Sequence, residues 1–307
     1  MRIVFFGSGE FGLPTLKRLV ECHDVAMVVS QPDRPAGRHR QLTPTPIARF
    51  AQDERLLVFK PEKPNEPEAV RRVHEICADA YVVIAYGHKI GPALLGETFA
   101  INLHASLLPK YRGAAPINWA MIHNEPTTGV SVITLAQRMD AGTILAQRET
   151  SIDPLETAGE LHDRLAALGP EAVSAVLDQL VSGSIKGVEQ DESQATPAPK
   201  LSKSDGALQF DAPAEAVRAR IHGLTPWPGC AIRIEGKEVK LIRVRNVAER
   251  SATAVPGSLS PAGLIACAPD GGSIQILELQ PAGGKVMSFS DYSRGHPVEA
   301  GSMCEAL

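Results

Sequence analysis

Close cysteine spacing is missing from this sequence. Cys22, Cys77, Cys230, Cys267 and Cys304 are odd in number and far apart, which argues against a disulfide framework and a cysteine-rich zinc site and favours buried thiols. No His-x-x-x-His, Cys-x-x-Cys or acid cluster calls for a metal. Long apolar runs are missing too: stretches such as 80–86 are far too short to cross a bilayer, and residues 1–6 lead into a glycine turn instead of a cleavage site. The expected location is the cytoplasm, with no membrane partner. A net charge of -4 is not the footprint of a protein coated in nucleic acid. Any nucleic-acid contact must come from local basic patches. No internal repeat or extended low-complexity run is evident.

What remains is an ordinary globular composition, 44% hydrophobic and 21% charged over 307 residues, enough for two domains and a sizeable core. The chain opens with an apolar strand, Arg2 to Phe6, and Gly7-Ser-Gly9-Glu-Phe-Gly12 before a helix through Val20. Taken literally this is a dinucleotide fingerprint, with Asp33 after a second strand, Val25 to Ser30, at the distance of a ribose-binding acid. Against it, Arg34-Pro35 follows Asp33 at once, where a dehydrogenase would turn into its next helix; the plainer reading is a tight strand-to-helix turn. Residues 34–49 hold Arg34, Arg38, His39, Arg40 and Arg49 with no acid and are broken by Pro35, Pro44 and Pro46. Their first half cannot be a regular helix. It is a solvated loop or a phosphate-facing one.

A helix over Ala69 to Cys77 precedes Ala80 to Ala85, near-continuously apolar as in a parallel strand covered on both faces. That strand ends in Tyr86-Gly87-His88-Lys89-Ile90. Ligands of open α/β sheets sit beyond the carboxyl ends of strands, so this loop and the one after Asn102 should line one crevice.

The centre of the sequence is Phe99-Ala-Ile-Asn-Leu-His-Ala-Ser-Leu-Leu-Pro109. Ile101 to His104 alternates, so Asn102 and His104 share one strand face while Leu103 takes the other. Asp140 lies in a turn after another apolar run, Val130 to Leu135, from which its carboxylate could reach His104. An amine attacking an acyl carbon makes an oxyanion, loses a proton and expels a group that must gain one. Asn102 and His104 are donors for the oxyanion, and losing one such donor typically costs about 100- to 1000-fold in rate. Asp140 would orient His104 and favour its charged form, or assist proton removal through a water. Ser106 offers a rival reading as a nucleophile, but G-x-S-x-G is absent and the Leu-Leu-Pro turn fits a pocket wall better.

Farther on, Ala115 to His123 reads as a helix, with Trp119 and Met121 in the core, Thr143 to Ile152 as a strand, and Ala158 to Val181 as the closing helix. Residues 1–189 form the α/β domain, 190–206 a Pro-containing linker with Lys200 and Lys203, and 207–307 a second domain. In the latter a helix over Ala214 to Ile221 and strands Ala231 to Ile234, Glu238 to Val244, Ser258 to Leu264 and Gly272 to Leu279 suggest a small β-barrel. Arg233, Lys237, Lys240, Arg243 and Arg245 make a basic hairpin suited to nucleic-acid backbone contact, or a solvated face.

Asn102-Leu-His104-Ala-Ser106-Leu-Leu-Pro109, Arg112-Gly-Ala-Ala-Pro116 and Asp140-Ala-Gly-Thr resemble the folate-dependent formyltransferases. The likeness runs over nearly the whole chain. Gln31 to Arg38, Lys200-Leu-Ser-Lys203 and Pro226-Trp227-Pro228 are similar to the members that formylate methionine carried on initiator tRNA. The resemblance implies an α/β fold, a Rossmann-like open and mostly parallel sheet with a C-terminal OB-like β-barrel, in a monomer that takes 10-formyltetrahydrofolate as co-substrate and needs no metal. It implies Asn102, His104 and Asp140 as catalytic; Tyr86, Gly87, Ser106, Leu107, Leu108 and Pro109 as folate-binding; and Arg38, Arg40, Lys200 and Lys203 as tRNA-binding. The sequence departs from the family wording at Ser8-Gly9, usually Thr-Pro, and at Gln209-Phe210, usually Asp-Trp. An amino-sugar nucleotide formyltransferase would share the catalytic trio without a reason for the basic loop and barrel.

Overall fold

A computed structural model of the chain describes residues 1–37, 41–247, 255–268 and 272–307. They divide into two compact units: Met1–Arg112, Gly129–Glu149 and Asp163–Thr196 form the first, and Gly113–Thr128, Thr150–His162 and Pro197–Leu307 the second.

The first unit is built on a seven-stranded sheet of β1 (Arg2–Gly7), β2 (Asp24–Val29), β3 (Val58–Phe59), β4 (Ala80–Ile84), β5 (Phe99–His104), β6 (Thr127–Thr134) and β7 (Ile144–Ser151), in the order β7-β6-β5-β4-β1-β2-β3. β1 to β5 pair in parallel and β6 runs antiparallel to β5. The middle strands are apolar because helices cover both faces: every residue of β4 is buried, and Phe6 packs edge-on against Tyr81 and Tyr86 at 5.4 and 5.6 Å. The fully buried Val, Ile and Phe side chains among them contribute about 1.5–3 kcal/mol each. The chain passes from β1 to β2 on one side and returns to β4 on the other, so the order reverses between β1 and β4. That reversal opens the crevice in which sheets of this kind bind ligands.

Residues 34–36 and 41–43 are paired strands and not loop: Arg34–Ala36 pairs antiparallel with Gln41–Thr43, and a helix at Pro46–Asp53 follows, its first turn capped by Thr45, which accepts from the Ala48 amide. Cys22 and Cys77 are exposed, against the expectation of buried thiols, while Cys230, Cys267 and Cys304 are buried.

The second unit is organised around an antiparallel sheet of β8 (Cys230–Ile234), β9 (Lys237–Val247), β10 (Ser258–Leu259), β11 (Leu264–Ala266), β12 (Ser273–Pro281), β13 (Met287–Ser288), β14 (Ser302–Met303) and β15 (Glu305–Ala306). Its order is β14-β10-β11-β12-β9-β8-β15, with β13 on β12. The two outermost strands are separated only by buried Cys304, so one C-terminal segment pairs with β10 at one edge and with β8 at the other. This nearly closes the sheet into an OB-like barrel and hides both edges. Ser258 to Leu264 is not one strand, since a turn with Gly263 at φ +81° separates β10 from β11. Helix Ala214–Gly223 packs into the barrel core through Val217 and Ile221. Among the described residues no helix is long and apolar enough to cross a membrane.

Candidate active site

β5 ends at the site, between Val83 of β4 and Ile133 of β6 in the register of Asn102. Leu103 is buried on one face, where an added Cβ on Gly169 would lie 2.8 Å from it, so a glycine lets the helix Ala158–Val181 approach the sheet closely. Strand alternation puts Asn102 and His104 on the opposite face. Asn102 is partly exposed, and its side-chain amide bonds to no other described residue. His104 is 6% exposed, and its Nε2–H donates to the Tyr111 carbonyl at 2.8 Å. A carbonyl can only accept, so this bond fixes the hydrogen on Nε2 and leaves Nδ1 for other work.

Nδ1 faces Asp140: the Oδ2 atom is 3.6 Å away, with 13% of the Asp140 side chain exposed. That separation is an electrostatic contact rather than a hydrogen bond. Asp140 sits at φ +54°, a left-handed conformation that Asp tolerates better than most residues. The turn around it is held from outside. Val188 and Ile144 exchange backbone hydrogen bonds of 2.8 and 2.9 Å, and this strap carries Gln190 to the turn. Gln190 Nε2 donates to the carbonyls of Asp140 and Gly142 at 2.8 and 2.7 Å. Its Oε1 accepts from Arg112 Nε and Nη2 at 3.0 and 2.7 Å, and Arg112 also pairs with Glu192 at 2.9 Å. The Arg112 guanidinium holds the Glu192 carboxyl below its ordinary range against the opposing effect of desolvation, and Arg138 adds to the lowering.

The loop from Ala105 to Arg112 is equally fixed. Ser106 is fully buried and donates its hydroxyl to the Lys110 carbonyl at 2.7 Å. Ser131 Oγ donates to the Ser106 carbonyl and accepts from the Leu108 amide, and Gln147 Nε2 donates to the Leu108 carbonyl. Leu107 and Pro109 stay partly exposed while Leu108 is buried.

Across the reversal of strand order, Ser8 and Gly9 donate their backbone N–H groups to the Ala85 carbonyl at 3.2 and 3.3 Å. A dinucleotide turn keeps such amides for the pyrophosphate; here they are spent, and Asp33 is paired with Lys60 at 2.6 Å. The glycines serve the strand-to-helix turn, and the turn braces the next loop. Tyr86 accepts at its carbonyl from Gln31 Nε2 and Ser8 Oγ, while its ring lies in the core. Burial pushes the Tyr86 hydroxyl up to about 12. Asn65 bonds the Lys89 carbonyl and the Gly91 amide. Between these anchors the amides of residues 87–90 bond to no other described residue.

The family profile for formyl transferases matches residues 1–177, and the profile for the formyl transferase C-terminal domain matches 200–297. The chain belongs to the formyl transferase family. This formyl transferase is 38% identical over 310 residues to the methionyl-tRNA formyltransferase of Geotalea uraniireducens, covering 99% of this chain and 97% of that one. It is 39% identical to the enzyme of the same name from Caldanaerobacter subterraneus, covering 99% of both. Two solved structures share the fold at 16% identity. HypX from Aquifex aeolicus in complex with tetrahydrofolic acid has a TM-score of 0.62, covering 97% of this chain and 48% of that one. The sugar 3N-formyltransferase WlaRD has a TM-score of 0.69, covering 89% and 96%.

Of the other residues singled out in this formyl transferase, Arg38 and Arg40 lie outside the described residues. Lys200 and Lys203 are exposed, Lys203 at the start of a short 3-10 helix whose Ser202 and Asp205 cap each other. On the barrel hairpin, Arg243 pairs with Glu160 and Glu278, and Arg233 with Glu305. Those pairs reduce the free positive charge of that face. Met121 is in the core, whereas Trp119 is only partly buried and donates Nε1–H to the Pro199 carbonyl. Sequence reasoning missed Gln190 and the Tyr111 carbonyl. A lone Gln in a polar stretch and a backbone oxygen leave no pattern to read.

Proposed function

We propose that the chain transfers the formyl group of 10-formyltetrahydrofolate to the amino group of methionine carried on initiator tRNA, in the cytoplasm and as a monomer. The observation that carries this reading is the 38–39% identity to methionyl-tRNA formyltransferases over 98–99% of the chain. Asn102 and His104 stand beside the formyl carbon. The amine lone pair bonds to that carbon, the carbonyl electrons move to oxygen, and the Asn102 amide donates to the oxyanion. His104 uses Nδ1, since Nε2 is committed to Tyr111. The ammonium proton leaves toward Nδ1 and the Asp140 carboxylate facing it, the bond from carbon to the folate nitrogen breaks, and that nitrogen takes a proton. No covalent enzyme intermediate is required.

The folate fits the residues present. A pterin edge carries alternating donors and acceptors, and the unbonded backbone amides of 87–90, in a loop pinned at the Tyr86 carbonyl by Gln31 and Ser8 and at Lys89 and Gly91 by Asn65, offer donors to it. Only glycine suits position 87, at φ +81° with Gln31 Nε2 where a Cβ would stand. Tyr86 contributes through its backbone, and Ser106 to Pro109 form the opposite wall. In this reading residues 1–189 carry the chemistry, 190–206 link, and 207–307 add tRNA contacts; Arg38, Arg40, Lys200 and Lys203 meet the tRNA phosphates.

The test is to supply formyl-labelled 10-formyltetrahydrofolate with methionyl initiator tRNA and, separately, with a dTDP-amino sugar. Label should pass to the tRNA; label in the sugar, or in neither acceptor, overturns the proposal.

A further inference from the structure

The distance between His104 and Asp140 is set by a closed ring of contacts, and one member of it has no chemical role of its own. His104 Nε2 is held by the carbonyl of Tyr111 at 2.8 Å. The next residue, Arg112, has a side chain only 10% exposed, and two of its nitrogens donate to Gln190 Oε1. Gln190 Nε2 then donates to the carbonyls on either side of Ala141, at 2.8 and 2.7 Å, and Asp140 returns the ring to His104 at 3.6 Å. The amide suits this place because its two ends face opposite demands. Two carbonyls accept only, and a guanidinium donates only, so a residue between them must donate at one end and accept at the other.

We propose that Gln190 is a positioning residue for formyl transfer, holding the Asp140 carboxylate at its working distance from His104 through the backbone of residues 140–142. This rests on the function proposed above. Asp140 needs such a hold because its backbone sits at φ +54°, directly after exposed Met139. The strap that delivers Gln190 is itself fixed at Val188 and by Thr196, whose hydroxyl accepts from the Tyr111 amide at 2.9 Å.

Gln190→Glu keeps size and the Arg112 contact but turns a carboxylate oxygen toward two carbonyls; Gln190→Met keeps size and loses both contacts. In either variant kcat should fall about 10- to 100-fold, the scale of a misplacement near 1 Å. KM for folate and for charged tRNA should stay within about twofold, and thermal unfolding should shift little. In an Asp140→Asn background the Gln190→Glu change should cost less than about threefold further, because it acts through that carboxylate. Unchanged kcat, a loss expressed only in KM or in folded protein, or fully additive losses in the double variant overturns the assignment. The wild-type protein in the same assay separates the two readings. If it transfers no formyl group to methionyl-tRNA, the function itself has failed; if it is active and the variants match it, only the role of Gln190 has.

Discussion

His104 donates from Nε2 to a backbone carbonyl and keeps Nδ1 for Asp140, so removing its ring removes the group Asp140 faces and, in the mechanism proposed above, the proton carrier. His104→Ala should therefore abolish measurable transfer with little change in tRNA affinity; near-normal turnover would sink the assignment. If Asn102 holds the oxyanion as proposed, Asn102→Ala should lower kcat about 100- to 1000-fold, the usual cost of losing such a donor, with folate affinity retained in a direct binding measurement. That Asn102 and His104 share a strand face and that Asp140 reaches His104 was legible in the sequence because strand alternation and a turn after an apolar run are local patterns. Gln190 was not: its two bonds reach carbonyls 50 and 48 positions away, and nothing local marks the residue that will make them. Tyr111 escaped for a related reason, since what it gives His104 is an oxygen every residue possesses.

The turn that presents Asp140 depends on Gly142, where an added Cβ would meet the Thr134 carbonyl oxygen. Gly142→Ala must push the turn away from β6, and a displaced carboxylate should lower kcat about 10-fold or more while KM changes little. Titrating both substrates checks this, and a variant with wild-type kcat would show that the turn has slack. At this scale the long elements were readable and the short ones were not. Periodicity marked β4, β5 and the helix Ala158–Val181, but the hairpin pairing Arg34–Ala36 with Gln41–Thr43 has strands too short for any alternation and a proline inside one of them. Likewise 258–264 looked like one apolar strand until Gly263 reversed it, and the segment closing the barrel is too short to register.

The second unit carries a titration that should set the acid limit of the whole molecule. His222 is fully buried; it donates Nδ1–H to the Pro154 carbonyl and accepts at Nε2 from the Val244 amide. Burial, and then the Arg218 guanidinium, lower it to about 4, so the folded protein refuses a proton that the unfolded chain takes up at about 6.5. Its contribution is complete above pH 6.5 and lost as pH falls toward 4, a loss of about 3 kcal/mol. Glu160, drawn down to about 2 chiefly by its bond to Arg243, acts in the same direction between pH 4.5 and 2, more weakly because half its side chain is in water. Denaturant unfolding at pH 7, 6, 5 and 4 should show the decline, and His222→Gln should flatten it above pH 4.5. A level profile in the native protein would remove His222 from the account. The paired amides of Ser8 and Gly9 have a separate consequence for life among other metabolites. No purine coenzyme can claim them without unfastening the segment proposed above to receive the pterin, so ATP and NAD, however abundant, should be poor competitors at that end of the sheet.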